Sequence, residues 1–105
     1  VHNWQVHYSA FDACITAHRL TQRGEEFDVY EYTYTDRKGV VSDWRAYAIL
    51  GKGKDISEVN DPHVTSADHR KITLGELVGL VKLPLRQWHT DRFPETIKWV
   101  EEYIA

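Results

Sequence analysis

Cys14 and His18 stand four residues apart, the spacing that puts two side chains on one face of a helix. Thiolate and imidazole both suit zinc. With His63 and His69 further along the chain, they are the candidate ligands of a tetrahedral site. The four come from distant segments, and their spacing matches no zinc finger. Two catalytic readings use the same residue types. Cys14 with a histidine is a nucleophile and base, and Asp61 or Asp68 with His63 is an acid–base pair. The plainer account is a buried free thiol and a hydrogen-bonded histidine, because Phe11 and Ile15 share their apolar face. Gly51-Lys52-Gly53-Lys54 is too short for a phosphate loop and leads into no apolar helix, so no cofactor is expected.

A second signal is Tyr30, Tyr32 and Tyr34. Period-two spacing puts three rings on one face of a strand. They suit a stacking platform for unpaired bases, but large aromatics are also what sheets bury, and the core is the expected role.

The third and strongest signal is local charge with amide and guanidinium donors. Residues 69–92 hold Arg70, Lys71, Lys82, Arg86 and Arg92 against Glu76 and Asp91, a net +3 on a chain of net charge −3. A basic island of this kind fits a local contact with nucleic acid. Within it, residues 72–93 resemble the helix-turn-helix of bacterial and phage repressors and excisionase-type regulators. The likeness rests on a Thr73-capped first helix, the apolar residues Leu77, Val81, Leu83 and Trp88, and a second helix opened by Pro84. Lys82 stands where that family usually has a turn glycine, Val78 where it has a small residue, and Asp91 at a late apolar position. The resemblance implies a small regulatory DNA-binding protein of bacterial or phage type. In it Lys82, Arg86, Gln87, His89, Thr90 and Arg92 would face the DNA, with Leu77, Val81, Leu83 and Trp88 inside. Arg and Gln are the side chains best shaped for bidentate contact with guanine and adenine edges. The alternative partner is another protein, with the chain acting as a binding module or an inhibitor that covers its target through exposed aromatics. A small enzyme using Cys14 or a His/Asp pair is the third reading.

The elements that would position these residues follow from periodicity. Trp4, Val6 and Tyr8 alternate as a short strand. Ser9 with Asp12 forms a capping-box pattern ahead of an amphipathic helix over 10–23, which Gly24 stops. Residues 27–35 and 40–50 are rich in β-formers and flank Asp36-Arg37-Lys38-Gly39, so they predict an antiparallel hairpin. Residues 51–70 read as a connecting loop. Thr73 and Glu76 form a second capping box, with Leu74, Leu77, Val78 and Val81 on one face. Residues 85–93 predict a short helix. Pro94 opens another, with Ile97, Val100, Tyr103 and Ile104 as its apolar face. The expectation is an α+β fold in the order β-α-β-β-loop-α-α-α. Residues 1–105 form a single domain, with 1–50 as scaffold and 71–105 as a helical segment.

Composition bounds the rest. Four Trp, six Tyr and three Phe in 105 residues are enough apolar material for a core without a disulfide or metal staple. The single cysteine excludes an intrachain disulfide and fits a reducing compartment, so a cytoplasmic location is expected. No apolar run is long enough to span a membrane. The strand–helix–hairpin scaffold is also a candidate surface for a homodimer.

Overall fold

The structure is a computed structural model that describes residues 4–54, 59, 67–81 and 85–104, with backbone only at 4, 5 and 104. Among the described residues eight elements follow one another: β1 (Trp4–His7), α1 (Ala10–Gln22), β2 (Phe27–Thr35), β3 (Val41–Gly51), β4 (Asp68–Ile72), α2 (Leu74–Gly79), α3 (Gln87–Arg92) and α4 (Pro94–Ile104). The class is α+β, as the sequence predicts. The four strands make one antiparallel sheet in the order β1-β3-β2-β4.

The hairpin β2–β3 forms around the predicted turn. The Asp36 carboxylate accepts from the amides of Lys38 (2.8 Å) and Val40 (2.9 Å), and Gly39 takes φ +82°. An aspartate that caps its own turn and a glycine in the left-handed region are what this reversal needs. Cross-strand register then sets the two faces. Val29 sits opposite Ile49, and Glu31 opposite Tyr47. On the other face Tyr30 sits opposite Ala48 and Tyr32 opposite Ala46, so each ring has a small residue beside it.

All helices pack on the first face. Their core joins Phe11, Cys14 and Ile15 of α1 to Val29, Tyr47, Ile49 and Ile72 of the sheet, and to Leu77, Val78 and Val100 of α2 and α4. α1 is covered on two sides, by the sheet and by α2 and α4, and its run 13–18 is entirely buried. Ala13 and Ala17, fully buried, let the neighbouring layers come close. A smaller cluster lies on the second face: Tyr32, Ala46, Ala48, Leu50 and Val59, with Tyr30 and Trp44 at its border. The tyrosine stripe thus serves this second cluster, away from the helices. Only Tyr32 is buried, while Tyr34 is 45% exposed.

Three local expectations need correction. The segment 51–70, read as a loop, contains the start of β4. This edge strand pairs with β2, with Val29 opposite Ile72 and Glu31 opposite Arg70. Its side chains Asp68, His69, Arg70 and Lys71 are all exposed, so it carries no alternating apolar signal. Charged side chains also blunt an open sheet edge against pairing with other chains. Ser9 is the N-cap of α1, but its side chain makes no capping bond. Asp12 is engaged elsewhere, as described below. The apolar face of α4 keeps Ile97 and Val100 inside, as expected, but Trp99 also packs on the core and Tyr103 is 48% exposed, while the Ile104 side chain lies outside the described residues.

The second capping box is present in full. The Glu76 amide donates to Thr73 Oγ1 and the Thr73 amide donates to the Glu76 carboxylate, each at 3.1 Å. α1 ends at Gly24 (φ +72°), where the Glu25 amide returns to the Leu20 carbonyl and the Gly24 amide to Thr21. These paired bonds are the Schellman stop.

Candidate functional site

α3 is the predicted recognition segment. Leu85, His89 and Phe93 recur every fourth residue, and this stripe faces inward. His89 is buried, while Leu85 and Phe93 pack against the main core. Arg86, Gln87, Trp88, Thr90, Asp91 and Arg92 are all exposed. Two expectations are therefore reversed. The helix-turn-helix resemblance implies His89 outside, and it lies inside; it implies Trp88 inside, and that ring is 49% exposed. The reason is steric and electrostatic together. The His89 ring meets Phe11 edge-on, with centroids 4.9 Å apart, and its Nε2 lies 3.2 Å from Asp12 Oδ1 on α1. Only one side of a six-residue helix can face the core, and that pair decides which.

The outward side carries the donors the sequence singled out. Arg86 is the N-cap of α3 and Gln87 its first residue. The Gln87 amide nitrogen donates to the Asp91 carboxylate one turn later, at 2.9 Å. The Arg92 guanidinium lies 5.7 Å from the centre of the Trp88 ring, within cation–π range. Thr90 is exposed on the same helix. Lys82, Leu83 and Pro84 lie outside the described residues. α2 ends at Gly79 and α3 begins at Gln87.

Beneath α3 is a cleft of about 420 Å³. Its wall includes Ser9 and Phe11 at the start of α1, Arg45 and Tyr47 on β3, and Arg86 and His89. Asp43 and Leu80 also border it. His89 Nδ1 is buried and, among the described residues, has no hydrogen-bond partner. Leaving a buried polar nitrogen unpaired costs about 1–3 kcal/mol, so this atom needs an explanation. The sequence gives it none, since a polar residue on a short helix is naturally read as facing out. The fourfold recurrence of 85, 89 and 93 is the signal that places it.

The Asp12 side of the dyad has a further neighbour. His7 Nε2 is 2.9 Å from Thr16 Oγ1. Burial holds the His7 pKa below its ordinary value, although the Asp12 charge pulls it upward.

The candidate zinc ligands are not brought together. Cys14 and His18 lie on the helix side of the sheet, where His18 Nδ1 is 3.0 Å from Thr96 Oγ1 and its ring stacks on Trp99 at 5.0 Å. His69 lies on the opposite face, its ring against Tyr30 and Tyr32. His63 and Asp61 lie outside the described residues. The Cys14 thiol is fully buried, and burial pushes its pKa up to about 12. A thiol so hard to ionise is a poor nucleophile. Among the described residues, no helix is long and apolar enough to cross a membrane. Compared with known proteins, the chain matches no family model, no curated protein and no solved structure.

Proposed function

We propose that the chain is a small regulatory protein that docks DNA through the outward side of α3. One observation carries the reading. α3 commits a single side chain, His89, to the interior and turns Arg86, Gln87, Trp88, Thr90 and Arg92 to solvent. A helix retained only for packing has no need of two guanidiniums, an amide and a half-exposed indole on its free side. Six residues rise about 9 Å, which reaches across about two to three base pairs. That suits a short, local contact rather than a long recognition helix. Arg86 and Gln87 at the N-terminal end would meet base edges, and Arg92 would meet the backbone.

Fluorescence anisotropy against a random duplex pool tests this. Binding at low salt should weaken steeply as salt rises, because each phosphate contact releases counterions. Arg86→Ala should cost about 1–3 kcal/mol in specific binding and relax preference at one base pair. Silence at low salt, from protein shown to be folded, ends the reading. Exposed Trp88 favours a second reading, a protein-binding module or inhibitor, since Trp is a frequent anchor of protein interfaces. A partner captured through Trp88 with little salt dependence would identify that case.

A further inference from the structure

We infer that the cleft under α3 is a binding site for a small organic anion, whose oxyanion meets His89 Nδ1, Arg45 and the N-terminus of α1. The inference stands apart from the DNA reading in His89, Arg45 and the start of α1, and shares with it only Arg86, which borders the cleft as well as the outward side of α3.

Four observations converge. His89 is buried, lines the cleft, and has no partner for Nδ1 among the described residues. Its other nitrogen is already committed to Asp12 at 3.2 Å. An imidazolium between two oxyanions is fully satisfied: Nε2–H donates to Asp12 and Nδ1–H to the ligand. The start of α1 lies in the same wall, and Ser9 does not cap it with its side chain. The amides of that first turn are therefore free of the partner a serine usually gives, and the positive end of a thirteen-residue helix points to this region. The charged groups of the wall are Arg45 and Arg86 against Asp43, an excess of one positive charge. Arg45 is held in place, since its Nη1 donates to the carbonyls of Ser42 and Trp44. Phe11, Leu80 and Leu85 supply apolar wall for a carbon skeleton, and about 420 Å³ is the size of an ordinary small-molecule site.

The groups that bear on the His89 proton are Asp12 from α1, Arg86 from its own end of α3, and Asp43, Arg45 and Tyr47 from β3. His7 from β1 acts through Asp12. Binding adds an anion to this set, opposite Asp12 across the ring.

Benzoate and phenyl phosphate are the probes, with benzyl alcohol as the neutral control. They are titrated into the full chain and followed by calorimetry and by NMR of the backbone amides and the His89 ring. Expected are shifts at Ser9–Asp12, a slowly exchanging Nδ1–H signal, and silence from benzyl alcohol. Binding by benzoate alone assigns a carboxylate ligand, and binding by phenyl phosphate alone assigns a phosphate ester. His89→Gln keeps a donor at the position of Nε2, and so the Asp12 bond, but has nothing at Nδ1. It should bind the anion at least about tenfold more weakly, the loss expected for a charge-assisted hydrogen bond. Its duplex binding should be unchanged, which separates this site from the outward side of α3. If His89→Gln does not fold, the Nδ1–H signal in the wild-type chain decides alone. No binding by either anion, equal binding to wild type and His89→Gln, or binding with no change at the His89 ring would each overturn the inference.

Discussion

His89 Nε2 and Asp12 Oδ1 lie 3.2 Å apart across 77 residues of chain, and this bond ties the last-placed short helix to the first long one. α3 is only six residues long, below the length at which a helix is stable by itself. Its position therefore depends on such anchors. His89→Ala removes both the bond and the edge contact with Phe11, and should destabilise the fold by about 1–3 kcal/mol. Asp12→Ala, at a carboxylate 40% exposed, should cost about 0.5–1 kcal/mol. The double variant should fall short of the sum by about 0.5–1 kcal/mol, measured by urea unfolding. Strict additivity would show that the two groups do not hold each other.

Trp88 gives a contrasting case on the neighbouring residue. Its ring is 49% exposed and meets Arg92 and Phe93 at the surface. Trp88→Ala should lower stability by no more than about 1 kcal/mol, where a buried tryptophan would cost about 3–5. The emission of the other tryptophans and the far-ultraviolet circular dichroism should stay native. The measurable loss should appear in partner binding.

Much of the scaffold was legible because it uses strong local chemistry. The Asp36–Gly39 turn, the Thr73–Glu76 capping box and the Gly24 stop each satisfy their own backbone groups, and each lies where the sequence puts it. β4 was illegible because four of its five residues face solvent and its pairing is decided by partners about forty positions earlier, such as Glu31 for Arg70. The candidate site was half legible. Arg86, Gln87, Thr90 and Arg92 are exposed as expected, but His89 and Trp88 exchange places. Residue type suggested a polar residue outside and an indole inside. The partner that reverses this, Asp12, is 77 residues away, and no local pattern reports it. The same bond draws Asp12 away from the capping role its spacing from Ser9 suggested.

Glu31 is a carboxylate on the helix face of the sheet, its side chain 7% exposed, and Arg70 Nε reaches it at 3.1 Å. The arginine itself is 65% exposed, so only one partner has been taken from water. Arg70→Ala leaves Glu31 buried without that donor and should cost about 1–3 kcal/mol. Adding Glu31→Gln should recover part of the loss, because an amide is cheaper to bury than a carboxylate. Hydrogen exchange gives an independent reading, since the amides of β4 should open first in Arg70→Ala. Unaltered protection there would detach the ion pair from the strand.

Cys14 offers a probe of global opening. The thiol is fully buried, with its pKa raised to about 12 from an ordinary 9.0. Labelling by a disulfide reagent at pH 8 should be slow in native protein and should accelerate in parallel with unfolding as urea is added. The raised pKa also has a sign for stability. The folded state holds the thiol proton more tightly than the unfolded state, so this group's contribution is complete below about pH 9 and falls as pH rises towards 12. Cys14→Ser would confuse the result by burying a hydroxyl. Cys14→Ala, which leaves a small void instead, should flatten the alkaline decline.

His7 should govern the acid side. Burial lowers its pKa below 6.5, and the nearby Asp12 charge only partly offsets that. The unfolded chain therefore binds this proton more readily than the folded one. Stability from the neutral ring is complete above about pH 6.5 and is lost as pH falls through the unfolded value and then the folded one. Asp12 complicates the descent in a useful way. It is the common neighbour of His7 and His89, so Asp12→Asn removes the one charge that supports a protonated His7. Thermal melts from pH 7.5 to 5 should show a steeper fall for Asp12→Asn than for wild type. His7→Gln retains a donor within reach of Thr16 Oγ1 and cannot titrate, so its fall should be shallower than either. Parallel curves for all three proteins would remove His7 from the account and leave the acid sensitivity to the carboxylates.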